Sequence, residues 1–382
     1  MNSSNKPRIG CLFYYWGPRY KKIGKLAVDS FKKFHPDVEI HIVDEKSREE
    51  YSSSRLIERY GLGPHKFMLA LEIMLKHKYD KLMLIGADTI TCSRLDGFLN
   101  SDEDVIVTLD YPYQVGLAFI RDFSGLGGTI SNVEMEIVYS PIILHNKETS
   151  QYRLYFGSVA KLPDLLKKES DEGGILENYL PRDYFNFNAD IVCFNNPAAL
   201  KKLIDVTAKY HDTHQLIHSE KEKVFYLPDD MKSFTGDYYG EQGGLNIFCS
   251  LSLSPDPVDK GYNFSIGVAD AYFSSNVVYN VRSKGNRNLF EKNDDPDIIK
   301  KELKPWGPFL KKWSTDKDKL FDCNKRQIKV FHYCDGFGSM DDEKFCQIMN
   351  KYVFDWFTDE TKEFFKKHCN SGDFFDKEFT LD

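Results

Sequence analysis

Residues 81–89 read Lys-Leu-Met-Leu-Ile-Gly-Ala-Asp-Thr, an apolar run of strand length that ends abruptly in a small residue and an acid. Upstream, Phe67, Ala70, Leu71, Met74 and Leu75 fall at helical spacing, and Lys78-Tyr79-Asp80 separates that helix from the strand. Downstream, Val105–Leu109 (VIVTL) repeats the strand pattern. Towards the N-terminus the same alternation recurs. Ile9–Tyr15 is an apolar strand closed by Gly17-Pro18, a turn signal. Ile23, Leu26, Ala27, Ser30, Phe31 and Phe34 then describe an amphipathic helix with lysines between them. His35-Pro36-Asp37 breaks it, and Val38–Val43 returns as a strand. Strands separated by helices of about 10–15 residues imply βαβ units. The fold class expected is therefore α/β, with a mixed, mostly parallel sheet flanked by helices.

The 382 residues leave room for roughly two domains, or one large α/β domain with an appendage. Hydrophobic residues make up 41% and charged residues 29%, which is enough apolar material for a sizeable core. Lys and Arg number 51 against 58 Asp and Glu, a net charge of −7. A nucleic-acid partner usually requires a basic footprint, so that class is set aside. No apolar run approaches the ~18 residues of a membrane span, and no secretory signal is visible. The eight cysteines include no CxxC pair, so metal-knuckle and disulfide-framework readings fail. A soluble protein of a reducing, cytoplasmic compartment is expected. The 29 Phe and 22 Tyr are an excess that coding bias explains as readily as function does, with Tyr14 and Tyr15 available for a base or sugar.

Further along the chain, 111–180 holds a Gly-rich loop (Ser124–Gly128) among mixed patterns. Asp190–Phe194 reads as a buried strand and Ala198–Tyr210 as a helix. Residues 283–320 read as a charged surface excursion. Phe345, Met349, Val353, Trp356, Phe357 and Phe364 lie at helical spacing near the C-terminus. Acids and bases mix on the polar face of that helix, so it is expected to pack on the body rather than on a membrane.

Ligands of open α/β sheets bind outside the carboxyl ends of the strands. Asp88, at the end of such a strand, either caps the next helix, with Thr91 or Ser93 as competing caps, or holds a divalent cation through its oxygens. Three later segments bear on the choice. Asn186-Phe-Asn188-Ala-Asp190 places amides and an acid before a buried strand. Tyr239-Gly-Glu241-Gln242-Gly-Gly-Leu-Asn246 packs an acid, an amide and glycines before an apolar stretch. Val330-Phe-His332-Tyr-Cys-Asp-Gly336 puts a histidine at a strand end, where a structural role competes with metal ligation.

Taken in order, these segments resemble the glycogenin-like retaining glycosyltransferases (glycosyltransferase family 8), enzymes of GT-A fold that use nucleotide sugars. The resemblance spans roughly residues 8–336, in patches. The family's Asp-x-Asp metal motif aligns with Gly86-Ala87-Asp88, its FNAG with Phe187–Asp190, its DQDxLN with Glu241–Asn246, and its HYxG end with His332–Gly336. The resemblance implies that Asp88 and His332 hold Mn²⁺, or Mg²⁺, against the donor diphosphate. It implies that Tyr20 stacks on the nucleotide base, with Ser30 ten residues on, and that Lys66 is a basic residue near the donor. It further implies that Asp110 contacts sugar or ribose. Asn188, Asp190 and Gln242 would line the sugar pocket, with Gln242 on the reactive face of the anomeric carbon. The implied partners are a UDP-linked sugar and a glycan or protein acceptor.

Three departures stand out. Gly86 replaces the first acid of Asp-x-Asp, Glu241 and Gly243 replace the acids flanking Gln242, and Gly338-Ser339 stand where the family has a lysine. Gln242 is a poor nucleophile, so a retaining transfer is expected to run by same-face attack, with Asp190 the carboxylate nearest to hand. Two rivals remain open: a nucleotide-sugar-binding protein without turnover, and an inverting transferase with Asp190 or Glu241 as base. The expected organisation is a catalytic core over 1–250 and a C-terminal extension over 251–382 that completes the site through His332.

Overall fold

The computed structural model describes residues 7–15, 17–109, 139–146, 151–158, 179–183, 187–217, 224–225, 234–235, 240–252, 261–269, 313–321, 325, 327–332 and 357–369. The first part of the chain alternates β1 (Ile9–Tyr14), α1 (Pro18–Phe34), β2 (Glu39–Val43), α2 (Leu62–His77), β3 (Lys81–Ile85), β4 (Thr89–Thr91) and β5 (Val105–Leu109). There follow β6 (Tyr139–Asn146), β7 (Gln151–Ser158), β8 (Tyr179–Asp183), β9 (Phe187–Phe194), α3 (Pro197–Ile217), β10 (Val224–Phe225), β11 (Phe234–Thr235) and α4 (Gly240–Ser252). The last described elements are β12 (Ile266–Val268), β13 (Ser314–Asp316), β14 (Lys319–Phe321), β15 (Gln327–Ile328), β16 (Val330–His332) and α5 (Asp359–His368).

Six strands are hydrogen-bonded in the order β12-β5-β9-β3-β1-β2. β1 runs parallel to β2 and β12 parallel to β5, while β9 runs antiparallel to β5. The sheet is thus mixed and mostly parallel, as the βαβ alternation predicts. Every residue of β3 is buried, and all of β1 except Ile9. An unbroken apolar run of this kind belongs to a strand covered on both faces.

By compactness the chain divides into two units. The first comprises Met1–Ile9, Glu49–Met83 and Ser101–Ala269. Its core joins Phe67, Leu69, Ala70 and Ile73 of α2 to Val105–Val107 of β5, Ile191–Phe194 of β9, Leu203 of α3 and Phe248 of α4. Phe67 meets Phe194 edge-on, ring centroids 6.2 Å apart. Asp104 ties the start of β5 to Ser265, accepting from its backbone N–H at 2.9 Å.

The second unit comprises Gly10–Arg48, Leu84–Asn100 and Asp270–Asp382. Here α1 lays Ile23, Ala27, Ser30 and Phe31 on β1, with Phe13 and Phe31 edge-on at 5.6 Å. His35 ends α1, stacked on Phe31 with centroids 4.2 Å apart. Its Nδ1–H donates to Phe31 O at 3.1 Å, while Nε2 accepts from the Leu95 N–H at 2.9 Å. Burial pushes its pKa down to about 4, so the ring is neutral. Trp313, Phe331, Phe357, Phe364 and Phe365 form an aromatic cluster beside β16.

Several sequence expectations change. Asn188 and Asp190 lie inside β9, which begins at Phe187, rather than ahead of a strand beginning at 190. Thr91 is the end of β4 and not a helix cap. Of the C-terminal apolar periodicity, Phe364 lies in α5. The Thr358 hydroxyl caps that helix by accepting from the Thr361 N–H at 3.2 Å. Tyr14 and Tyr15 are buried, and the Tyr15 ring lies over Gly24 of α1. Asp110, the loop 124–128, residues 283–312 and Phe345–Trp356 fall outside the described residues. Five cysteines, Cys11, Cys92, Cys193, Cys249 and Cys369, are buried free thiols. No helix among the described residues is long and apolar enough to cross a membrane.

Candidate functional site

The first unit gathers charge around one lysine. Lys66 lies on the second turn of α2 and is 7% exposed. Its Nζ donates to Asp190 Oδ1 at 2.8 Å and approaches Glu241 Oε1 at 2.9 Å. Burial works against the charged form of Lys66. The charges and hydrogen bonds of Asp190 and Glu241 outweigh it and hold the ammonium above the ordinary lysine range. One ammonium against two carboxylates leaves the trio with a net negative charge. The acids stay partly open, with 34% of the Asp190 side chain and 26% of Glu241 exposed.

A break in strand register presents Asp190. On β5, Val107 pairs with Val192, yet the next residue, Thr108, pairs with Asn188. Ala189, Asp190 and Ile191 thus bulge out of the ladder, a device that re-aims side chains next to sites. The Asn188 side chain braces the bulge by accepting from the Asp190 N–H at 2.7 Å. The start of β9 is then pinned to α4. Asn246 Oδ1 accepts from the Phe187 N–H at 2.8 Å, and its Nδ2 donates to Phe187 O at 3.1 Å and to Gln242 O at 2.8 Å. One buried amide thereby sets the first turn of α4, with Glu241 and Gln242, against the strand carrying Asn188 and Asp190. The family motif contains Asn246, but the motif alone does not reveal this pinning role.

The second unit pairs the other two acid and histidine candidates. His332 Nε2 lies 3.3 Å from Asp88 Oδ1, with the histidine 1% and the aspartate 16% exposed by side chain. Asp88 sits in a turn between β3 and β4 that the Thr89 hydroxyl closes by donating to Gly86 O at 2.8 Å. Ser30 of α1 holds the end of β4 beyond that turn: its hydroxyl accepts from the Thr91 N–H at 3.0 Å and donates to Ala27 O at 2.9 Å. β16 pairs antiparallel with β4, placing His332 opposite Thr89. The aromatic cluster behind Phe331 braces β16. A carboxylate oxygen with an imidazole nitrogen is a donor set that suits Mn²⁺ and tolerates Mg²⁺ less well.

Of the remaining expectations, Tyr20 lies half-buried in the first turn of α1. The loop before it is tied down by Glu45, whose carboxylate accepts from the Gly17 N–H. Sequence reasoning gave Gly63 no part in the site, although it adjoins Glu241.

No protein-family model and no curated protein matches the chain. Solved structures that resemble it loosely include these three. The WbbM bifunctional glycosyltransferase in its apo form is 11% identical over 96% of this chain and 53% of its own, with a TM-score of 0.40. The galactosyltransferase LgtC in complex with donor and acceptor sugar analogs is 13% identical over 90% of this chain and 96% of its own, TM-score 0.34. The mannose-1-phosphate geranyltransferase of Thermus thermophilus is 16% identical over 56% of this chain and 65% of its own, TM-score 0.22. The chain spans about half the length of WbbM. Likenesses this loose leave the function to be argued from the residues.

Proposed function

We propose that the chain is a glycosyltransferase that moves a hexose from a nucleotide sugar, UDP-linked, to a hydroxyl of a glycan or protein acceptor. The observation that carries this reading is the trio Lys66–Asp190–Glu241. Two partly open carboxylates and an ammonium offer acceptors and donors for the hydroxyls of a sugar, a neutral polyol that a dry apolar pocket would not recognise. Asn188, Asp190, Glu241 and Gln242 then face the sugar, and Tyr20, Lys66 and Asp110 serve the donor. Asp88 and His332 would hold Mn²⁺. Such an ion stabilises the charge that develops on a departing nucleoside diphosphate.

In this reading Gln242 lies by the anomeric carbon and acts by orientation, since an amide is neither a strong base nor a good nucleophile. The acceptor hydroxyl then attacks from the leaving-group side with retention. The core is assigned to 1–250 and the completion of the site to 251–382.

A thermal-shift screen of UDP, UDP-glucose, UDP-galactose and UDP-N-acetylglucosamine, each with and without Mn²⁺, tests the reading. A ligand that binds only the folded chain raises Tm by mass action. The expected result is a rise of several degrees with one UDP-hexose that requires Mn²⁺. The absence of a shift with every donor would overturn the assignment, and binding without transfer would identify a protein that has lost turnover.

A further inference from the structure

The geometry points to Gly63 as a positioning residue for the Glu241 carboxylate, and this inference rests on the transferase reading for its effect on turnover. Gly63 is the second residue of α2, one turn ahead of Lys66. A Cβ built on it would lie 2.8 Å from Glu241 Cδ and closer still to Oε2. A methyl there would have to displace the carboxylate, which rests on the bare backbone of the helix. From that place its other oxygen reaches Lys66 Nζ at 2.9 Å.

The charge at this spot has a second reason to be negative. The first turn of α2 carries no acid and its N-cap makes no side-chain hydrogen bond. Anions are favoured beside helix N-termini, where backbone N–H groups are unpaired. Glu241 thus supplies from α4 the negative charge that α2 lacks, provided that residue 63 has no side chain. The end of a glutamate is flexible, so a methyl at 63 would be accommodated by moving the carboxylate. Moving it parts Glu241 from Lys66 and leaves the ammonium with Asp190 alone. The sugar-facing trio is then misplaced while the helix itself is improved, because alanine favours a helix more than glycine does.

This separation of effects makes the inference testable on the full-length protein. Gly63→Ala is expected to lower kcat/KM for the UDP-hexose by about 10- to 100-fold, the scale of a displacement near 1 Å. Its affinity for UDP alone is expected to fall much less than kcat/KM does. A second comparison reads the coupling without relying on activity. Glu241→Gln is expected to lower Tm in the parent, by weakening the pair with Lys66, and to lower it no further on the Gly63→Ala background, since the methyl has already displaced the carboxylate. Unchanged kcat/KM in Gly63→Ala, equal loss of UDP affinity, or Tm effects that simply add would each overturn the role of Gly63. If the parent protein neither binds nor transfers any sugar, the transferase reading fails and the Tm comparison alone decides on Gly63.

Discussion

Lys66 and His35 are both bases removed from water, 7% and 0% exposed, and the two solve desolvation in opposite ways. Lys66 keeps its proton because two carboxylates outweigh the cost of burial. His35 gives its proton up: one ring nitrogen donates to Phe31 O, the other accepts from Leu95 N–H, and neither partner carries charge. The difference lies in what surrounds each base. Around His35 the backbone fills both hydrogen-bonding positions, so nothing is left over for a ligand. Around Lys66 the partners are side chains with a quarter to a third of their surface still open. Buried charge with partly exposed partners is a costly arrangement for stability alone. It is useful where a polar substrate replaces the water.

His332 extends the comparison, because it is as buried as His35 but faces a carboxylate instead of the backbone. If it is a ligand, Asp88→Ala and His332→Ala should each lower Mn²⁺-dependent transfer by about 100-fold or more, with the far-UV spectrum unchanged. Near-normal turnover at low Mn²⁺ in either variant would place His332 with His35, as a structural histidine. The next largest effect is expected from Lys66→Met. It leaves two acids facing each other without their cation and should cost about 3 kcal/mol in urea unfolding. Partial exposure of both acids keeps the figure at the lower end of the range for buried pairs.

His35 supplies the pH dependence. Its pKa is near 4 in the folded chain against 6.5 when unfolded. Between those values the unfolded chain binds the extra proton, so stability falls as pH drops from about 6.5 towards 4 and is fully present above 6.5. At ~1.4 kcal/mol per unit, the loss amounts to about 3 kcal/mol. Urea midpoints measured from pH 7 to 4 should show it, and His35→Gln should flatten the profile. A pH profile that His35→Gln leaves unaltered would show the acid sensitivity to lie elsewhere. The smallest expected change comes from Gly24→Ala. Its methyl would stand 2.5 Å from Tyr15 Cε1, so overpacking should cost about 2 kcal/mol. A neutral or stabilising result would show that Tyr15 can swing away, as Glu241 is expected to do beside Gly63.

The strands were legible because a strand covered on both faces must be largely apolar, as IGCLFY is and as KLMLI is after its opening lysine. Asp88 and His332 were legible for the same reason, since a polar residue closing an apolar run stands out. Lys66 could be named as a basic group, but its two partners are 124 residues away in one case and on α4 in the other. Nothing local in the sequence encodes such distances. The bulge at Ala189–Ile191 was hidden because register is a property of two strands, and β5 had to be aligned with β9 before the skip appeared. Glu241 read as a departure from a motif; beside Gly63 it becomes a longer acid with room to reach.

If the open carboxylates around Lys66 serve sugar transfer, turnover must depend on that lysine. That dependence is tested by incubating the protein with Mn²⁺, each UDP-hexose and an oligosaccharide acceptor, and following UDP release together with the anomeric signals of the product by NMR. Mn²⁺-dependent release of UDP and a product with the donor's anomeric configuration are expected, both lost in Lys66→Met. Release that continues undiminished in Lys66→Met, or no release from any UDP-hexose, would contradict that role of the carboxylates.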